Sequence, residues 1–229
     1  MSNERSPDLS LFLDILHTLE AMDAPYMIIG AFAATVYGIT RVTYDIDIVV
    51  NLQEQHLQAL CKAYPSPRYY ADPLQMRDSI RRGVMFNIID TTRGEKADLV
   101  PLTMSPTYRL AFQRRVRQRI ELPNAESFEV WCARPEDVIV GKLKAWAEGR
   151  SRKHETDIYE MMVFHYLGHG ATQTATLDEG YVDAQAAALG QEVAALWQTI
   201  KEAARHEANR GMAWLTPDRA TQCAGSRRP

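Results

Sequence analysis

Two carboxylates stand two residues apart at the start of a short apolar run, and this feature constrains the chain more than any other. Asp45 and Asp47 flank Ile46, and the run continues to Val50. Side chains at positions i and i+2 of a strand point to the same face, so the two carboxylates are expected to project together. Like charges at that range repel unless a cation lies between them. The pattern therefore favours a divalent metal at this strand.

A third carboxylate, Asp98, lies among hydrophobic residues in a later strand-like segment, residues 96–102. A charge in such a run usually lies at a strand end or has a partner. If this strand lies beside the first, Asp98 joins Asp45 and Asp47 in a hard, oxygen-rich site suited to Mg²⁺ or Mn²⁺. Two such ions, about 3.5–4 Å apart, can serve both the attacking and the leaving oxygen of a phosphoryl-type transfer. The alternative is that Asp45 caps a turn and Asp98 is an exposed hairpin carboxylate.

The order of apolar patterns predicts a mixed sheet followed by helices. Gly30 ends the first apolar strand and begins a run of small residues. The predicted strands cover residues 26–29, 46–50, 84–89, 96–102, 116–122 and 128–132. The predicted helices cover residues 10–22, 31–37, 53–63, a polar segment ending near 83, a segment from 135 onward, 153–167 and 178–206.

Composition excludes several classes of protein. The chain has 229 residues, 24% of them charged, and its formal net charge of −3 gives no global basic field for nucleic acid. The cysteines share no short spacing, which argues against a disulfide framework or a cysteine-built zinc site; they are Cys61, Cys132 and Cys223. The N-terminus lacks the pattern of a signal peptide, and no apolar run approaches the ~20 residues that span a bilayer. We expect a cytoplasmic protein without a membrane partner.

The order of Gly30, a short helix, Asp45-x-Asp47 and a later strand Asp98 resembles the signature of the nucleotidyltransferase superfamily. The fuller text around it resembles the AbiEii-type branch, which includes the toxins of type IV toxin–antitoxin systems. The residues that carry this closer resemblance are Ala33, Tyr37, Gly38, Arg41, Thr43, Arg134, Pro135, Glu136, Asp137, Lys142, Arg150, Lys153 and Asp157. It runs from about residue 24 to about 165.

The resemblance implies an α/β (α+β) fold, with a nucleotidyltransferase-type mixed sheet flanked by helices and a helical C-terminal part. Residues 1–132 would form the catalytic domain, 133–215 a helical domain and 216–229 a disordered tail. The implied reaction transfers a nucleoside monophosphate from a nucleoside triphosphate to an acceptor hydroxyl, on the 3′ end of a tRNA or on a protein. A toxin of this kind would have a cognate antitoxin as partner.

Roles follow by resemblance for the matching positions. Asp45, Asp47 and Asp98 would be the catalytic, metal-binding carboxylates, with Mg²⁺ or Mn²⁺ as cofactor. The nucleotide would contact the backbone at Gly30 and Ala31 and the later charged residues, which are Lys142, Arg150, Lys153 and Asp157.

The sequence departs from the family pattern after Gly30, where Ala31 replaces the Ser or Gly of many active members. His154 follows Lys153, where the branch usually has an Asp. Two alternatives therefore stay open: a catalytically silent binding module that keeps the fold, and an enzyme that modifies a small molecule such as an antibiotic.

Five arginines crowd one short region and are either a basic stripe for tRNA or another polyanion, or a solvated face. They are Arg109, Arg114, Arg115, Arg117 and Arg119.

Overall fold

A seven-stranded mixed sheet dominates the first part of the chain in the computed structural model, which describes residues 10–39, 46–120, 127–168 and 176–213. The strands are β1 (Tyr26–Ile29), β2 (Asp47–Val50), β3 (Tyr69–Tyr70), β4 (Phe86–Asp90), β5 (Glu95–Pro101), β6 (Val116–Ile120) and β7 (Phe128–Cys132). Their order across the sheet is β3-β4-β5-β2-β1-β7-β6. The pairs β2–β5 and β1–β7 are parallel, and the other neighbours are antiparallel. The predicted fold class is confirmed.

The central strands are buried because helices cover the sheet. Helix α1 (Ser10–Ala21) packs against β5, and α2 (Gly30–Val36) packs against β1 and β2. The apolar stripe that predicted α1 is buried, with Ile15 and Leu19 fully inaccessible. Full burial of such a side chain contributes about 1.5–3 kcal/mol. The same pattern that predicted the helix therefore fixes the face on which it packs.

Two further helices and a short strand lie between β2 and β4. Helix α3 (Glu54–Ala63) is followed by α4 (Pro73–Arg82), and β3, which was not predicted, lies between them. Asp72 caps α4 because its carboxylate accepts the backbone N–H of Leu74 at 2.8 Å. The helix ends at Gly83, as the sequence predicted, and this glycine has the left-handed conformation.

A 3₁₀ helix (Leu102–Met104) and helix α5 (Pro106–Gln113) follow β5, and neither was predicted. Ser105 caps α5 by accepting the N–H of Thr107, and Pro106 occupies the first helical position. This Ser-Pro pair is a recognisable start signal. The helix is too short for its apolar period to stand out from the neighbouring strands.

The last part of the chain is helical, and one of its predicted helices was wrong. The observed helices are α6 (Pro135–Gly149), α7 (Arg152–Tyr166), α8 (Glu179–Leu189) and α9 (Gln191–Ala213). The sequence predicted one helix over residues 178–206, but the structure has two, which are separated at Gly190. The φ of 120° and ψ of 163° at Gly190 are incompatible with a helix. The predicted tail, residues 216–229, lies outside the described residues.

The described chain forms two compact units. One comprises residues 10–36 and 46–138 and contains the sheet; the other comprises residues 37–39 and those from 139 onward. Gly38 has a φ of 102°, and a Cβ placed there would lie 2.4 Å from the Cβ of Phe164. Residues 37–39 therefore lie tightly against α7 within the second unit. No helix in the described ranges is long and apolar enough to cross a membrane.

Candidate active site

Asp47 and Asp98 are direct neighbours on adjacent parallel strands. The register pairs Asp47 of β2 with Asp98 of β5, and the N–H of Asp98 donates to the carbonyl of Ile46 at 3.3 Å. Paired residues on neighbouring strands point to the same face and lie about 4.8 Å apart. Asp98 is buried, whereas Asp47 is half-buried. The condition that the sequence analysis set for Asp98 to join Asp47, that their strands lie side by side, is met.

The third predicted carboxylate, Asp45, lies outside the described residues. Within residues 10–39, 46–120, 127–168 and 176–213, no group of three His, Cys, Asp or Glu side chains could hold a metal ion. Asp47 and Asp98 therefore represent two of the three predicted ligands.

Gly30 provides the close approach to Asp47. Ile29 pairs with Asp47 across β1 and β2, so Gly30 follows directly beside that carboxylate. Gly30 has a φ of 69°, and a Cβ placed there would lie 2.4 Å from Asp47 Oδ2. A side chain at this position would enter the space that the carboxylate occupies. Ala31 is the next residue of α2 and is half-buried.

Two residues that the sequence analysis did not single out hold Asp98. Asn87 of β4 pairs with Asp98 in the antiparallel register, and its Nδ2 donates to Asp98 Oδ1. The ammonium of Lys96 lies 3.0 Å from Asp98 Oδ2. Lys96 is two residues from Asp98 on the same strand, so the period of two could have identified it. Asn87 could not be identified in this way, because its contact with Asp98 depends on the register of the β4–β5 hairpin.

The residues present fit a hard divalent cation. Carboxylate oxygens are the ligands that Mg²⁺ and Mn²⁺ prefer, and Asp47 and Asp98 supply them from two rigid strands. Gly30 beside Asp47 leaves that carboxylate the room that a Cβ would take.

Lys142 and Asp157 form a buried ion pair in the second unit. Lys142 on α6 donates to Asp157 Oδ2 on α7 at 2.6 Å, and both residues are at most 5% exposed. The sequence analysis named both residues for the nucleotide but did not foresee that they bond to each other. This pair joins the two helices in the interior of the unit.

Arg150 and Lys153 are exposed, and Arg150 is held by neighbours. Its φ is 52°, its guanidinium lies 4.4 Å from the ring centroid of Trp146, and it forms an ion pair with Glu192 at 2.5 Å. Lys153 lies in the first turn of α7. These residues belong to the second unit with Lys142 and Asp157, whereas Gly30, Asp47 and Asp98 belong to the first.

The predicted arginine stripe consists largely of structural contacts. Arg114 pairs with Asp137 at 2.5 Å, and Arg117 pairs with Glu20 at 2.5 Å. Arg115 stacks on the rings of Phe112 and Trp131, at 4.1 and 4.7 Å from their centroids. Burial lowers the pKa of this guanidinium.

The remaining two arginines of the stripe differ from these. Arg119 donates to Ser127, and Arg109 is exposed on α5. Neighbouring side chains therefore account for four of the five arginines, which favours the structural interpretation of the stripe.

The chain matches the family described as "Nucleotidyl transferase AbiEii toxin, Type IV TA system" over residues 27–189. This range contains Gly30, Asp45, Asp47, Asp98, Lys142, Arg150, Lys153 and Asp157. Comparison with curated proteins gave no match.

Comparison with solved structures gave matches that include three chains, each with a TM-score below 0.5. An antigenic nucleotidyltransferase-like protein from Paracoccidioides brasiliensis is 20% identical, with a TM-score of 0.42 over 67% of this chain and 75% of that chain. The antibiotic-resistance factor ANT(2'')-Ia is 15% identical, with a TM-score of 0.43 over 88% and 97%. The protein JHP933 from Helicobacter pylori is 15% identical, with a TM-score of 0.43 over 93% and 95%.

Proposed function

The chain belongs to the AbiEii nucleotidyl transferase toxin family, and from this premise we propose that this nucleotidyltransferase transfers a nucleoside monophosphate to an acceptor hydroxyl. The acceptor oxygen attacks the α-phosphorus of a nucleoside triphosphate. The bond from that phosphorus to the bridging oxygen breaks, and pyrophosphate leaves. The single observation that supports this reaction best is the register of Asp47 beside Asp98, with Gly30 against the carboxylate of Asp47.

The carboxylates have distinct roles in this proposal. Asp45 and Asp47 would hold the divalent cations that accompany the triphosphate, and Asp98 would be a further ligand. Asp98 also accepts the proton of the acceptor hydroxyl or orients that hydroxyl. A bound Mg²⁺ or Mn²⁺ would supply charge neutralisation for the triphosphate and the leaving group. The chain's own contribution is to fix the carboxylates of Asp47 and Asp98 on adjacent strands before the substrate arrives.

The resemblance also assigns nucleotide contacts to Lys142, Arg150, Lys153 and Asp157, and these assignments stay predictions. Residues 1–132 would form the catalytic domain and residues 133–215 the helical domain. A cytoplasmic location and the disordered tail stay predictions.

The family assignment supports a toxin role and a cognate antitoxin. We propose an acceptor hydroxyl on a macromolecule, either the 3′ end of a tRNA or a protein side chain. Transfer to either would block a process that a growing cell needs, which is the effect that a toxin requires.

Ala31 supports a second candidate, a silent module that binds a nucleotide or a partner without transfer. A Ser at this position would offer a hydroxyl to the phosphates, and Ala31 offers only its backbone N–H. The three carboxylates favour the enzyme over this candidate, because a binding module would not need them all.

Label transfer separates these candidates. The protein is incubated with each α-³²P-labelled nucleoside triphosphate, Mg²⁺ and one acceptor pool: total tRNA, total protein or a panel of aminoglycosides. The proposal expects Mg²⁺-dependent label in tRNA or protein, and its loss in Asp47→Asn. Label in an aminoglycoside alone would identify the small-molecule enzyme. Nucleotide binding without label in any pool would identify the silent module.

A further inference from the structure

Both oxygens of Asp98 have hydrogen-bond partners among the neighbouring side chains. Oδ1 accepts the amide of Asn87 from the neighbouring strand, and Oδ2 lies closest to the ammonium of Lys96, at 3.0 Å. Lys96 Nζ is also 3.3 Å from Oδ1. Asp98 is therefore a carboxylate that already has both a neutral donor and a cation.

These partners differ in mobility and charge. Asn87 is short and lies directly opposite Asp98 in the strand register, so it can hold the carboxylate in one orientation. Lys96 has a long side chain that is 50% exposed, against 10% for the side chain of Asp98. A flexible, half-exposed ammonium can move into solvent when another cation takes its place at the carboxylate.

A divalent cation at Asp98 would meet the charge of Lys96. Both are cations that use the oxygens of the same carboxylate, and like charges at this range disfavour each other. Asn87 carries no charge, so it does not repel a cation at Asp98. The strand arrangement thus combines one residue that orients the carboxylate with another that competes for it.

We propose that the ammonium of Lys96 competes with the divalent cation for Asp98. Asn87 is the positioning residue, which keeps the carboxylate oriented for that cation. This inference rests on the proposed function, in which Asp98 shares a metal. Lys96 weakens cation binding while the nucleotide is absent. It also keeps Asp98 from standing as an uncompensated buried charge.

The test measures Mn²⁺ binding to the nucleotide-free protein by the loss of the free-ion electron paramagnetic resonance signal. Lys96→Met removes the ammonium and retains a side chain of similar length, and we expect it to lower the Kd for Mn²⁺ about fivefold. Lys96→Arg keeps the charge and is expected to retain the wild-type Kd. Asn87→Leu removes the donor and is expected to raise the Kd.

Two further variants locate the effect. In the Asp98→Asn background, Lys96→Met should leave the Kd unchanged, because the carboxylate for which both cations compete is gone. Asp47→Asn tests the metal site itself. The melting temperature of each variant, measured without metal, shows whether it folds.

The outcomes distinguish the competition by Lys96 from the metal site on which it depends. If Asp47→Asn weakens Mn²⁺ binding but Lys96→Met leaves it unchanged or weaker, the competition is overturned and the metal site stands. If neither Asp47→Asn nor Asp98→Asn changes Mn²⁺ binding, the metal site of the proposed function fails, and the competition with it. Tighter binding in Lys96→Met that depends on Asp98 supports both.

Discussion

Gly30 shows how one missing side chain shapes the candidate site. Its φ of 69° strains any other residue, and a Cβ would lie 2.4 Å from Asp47 Oδ2. Gly94 has a φ of 71°, but a Cβ there would have nothing within 4 Å. The two glycines therefore share the backbone requirement and differ only in their neighbours.

Gly30→Ala and Gly94→Ala form a matched pair. We expect Gly94→Ala to lower the free energy of unfolding by about 1–2 kcal/mol, since it places alanine in the left-handed region, and Gly30→Ala to lower it by more, since its Cβ also collides with Asp47 Oδ2. Only Gly30→Ala should also lower the rate of nucleotide transfer, because Asp47 must move. Urea unfolding and a transfer assay measure the two effects. Equal transfer rates in the two variants would contradict a role for the Gly30–Asp47 contact.

The buried pair of Lys142 and Asp157 predicts a large loss of stability. Lys142→Met leaves the carboxylate of Asp157 without its ammonium partner, which costs about 3–5 kcal/mol in urea unfolding. Lys142→Met/Asp157→Leu should recover most of that loss, because two apolar side chains replace the pair. Arg210→Met, which removes an exposed pair with Glu207 at 3.4 Å, should cost less than about 1 kcal/mol. A double variant as unstable as Lys142→Met would refute this account.

The position of a single residue in the candidate site could be predicted from the sequence where the alternation of side chains along a strand was a sufficient signal. Asp47 and Asp98 followed from the alternation of a strand and an apolar context. Asn87 did not, because its contact with Asp98 depends on the register of a hairpin. The bond between Lys142 and Asp157 likewise depends on how α6 and α7 pack, which no local pattern contains.

Among the elements, the break between α8 and α9 is where the sequence prediction was wrong. The apolar stripe continues across Gly190, so the period alone predicts one helix. The conformation of Gly190 lies in a region of φ and ψ that only glycine occupies readily. Strong periods predicted α1, β1, β4 and β7, whereas α5 and β3 were too short to produce one.

Gly190→Ala should therefore destabilise the protein by about 1–3 kcal/mol in urea unfolding. The cost comes from the backbone, because a Cβ at Gly190 would contact nothing within 4 Å. Gly141→Ala is the matched control: this glycine lies inside α6 with equally open space, so alanine should stabilise by about 0.5–1 kcal/mol. Stabilisation by both changes would show that α8 and α9 can join.

Asp90, the last residue of β4, should make the free energy of unfolding depend on pH. The hydroxyl of Thr92 and the guanidinium of Arg68 hold the pKa of this buried carboxyl well below its usual range. Because the folded pKa is lowered, the contribution is present above the unfolded pKa of about 3.9 and is lost as the pH falls through the folded value.

We expect Asp90→Asn to lower the urea midpoint at pH 7 relative to the wild type. The difference between the two proteins should shrink as the pH falls below about 3.9. A difference that stays constant between pH 7 and pH 2.5 would contradict the assignment to the carboxylate.

For the whole molecule, the family match spans residues 27–189 and so includes the sheet and α6, α7 and α8. The mixed α/β class followed from the order of strand and helix patterns. The grouping of residues 37–39 with the later helices did not, because it depends on the close packing of Gly38 on Phe164. Long-range packing of this kind has no signal in local sequence.

The central claim is that the carboxylates of β2 and β5 support metal-dependent nucleotidyl transfer. Its most direct test is the Mg²⁺-dependent rate of label transfer from an α-³²P-labelled nucleoside triphosphate by wild type, Asp98→Asn and Asp78→Asn. Asp78 is a partly exposed carboxylate on α4, paired with Arg81 and Arg82, and serves as the control. We predict that Asp98→Asn lowers the rate by about 100-fold or more, whereas Asp78→Asn keeps the wild-type rate. Equal rates in wild type and Asp98→Asn, or transfer that persists after Mg²⁺ is chelated, would contradict the claim.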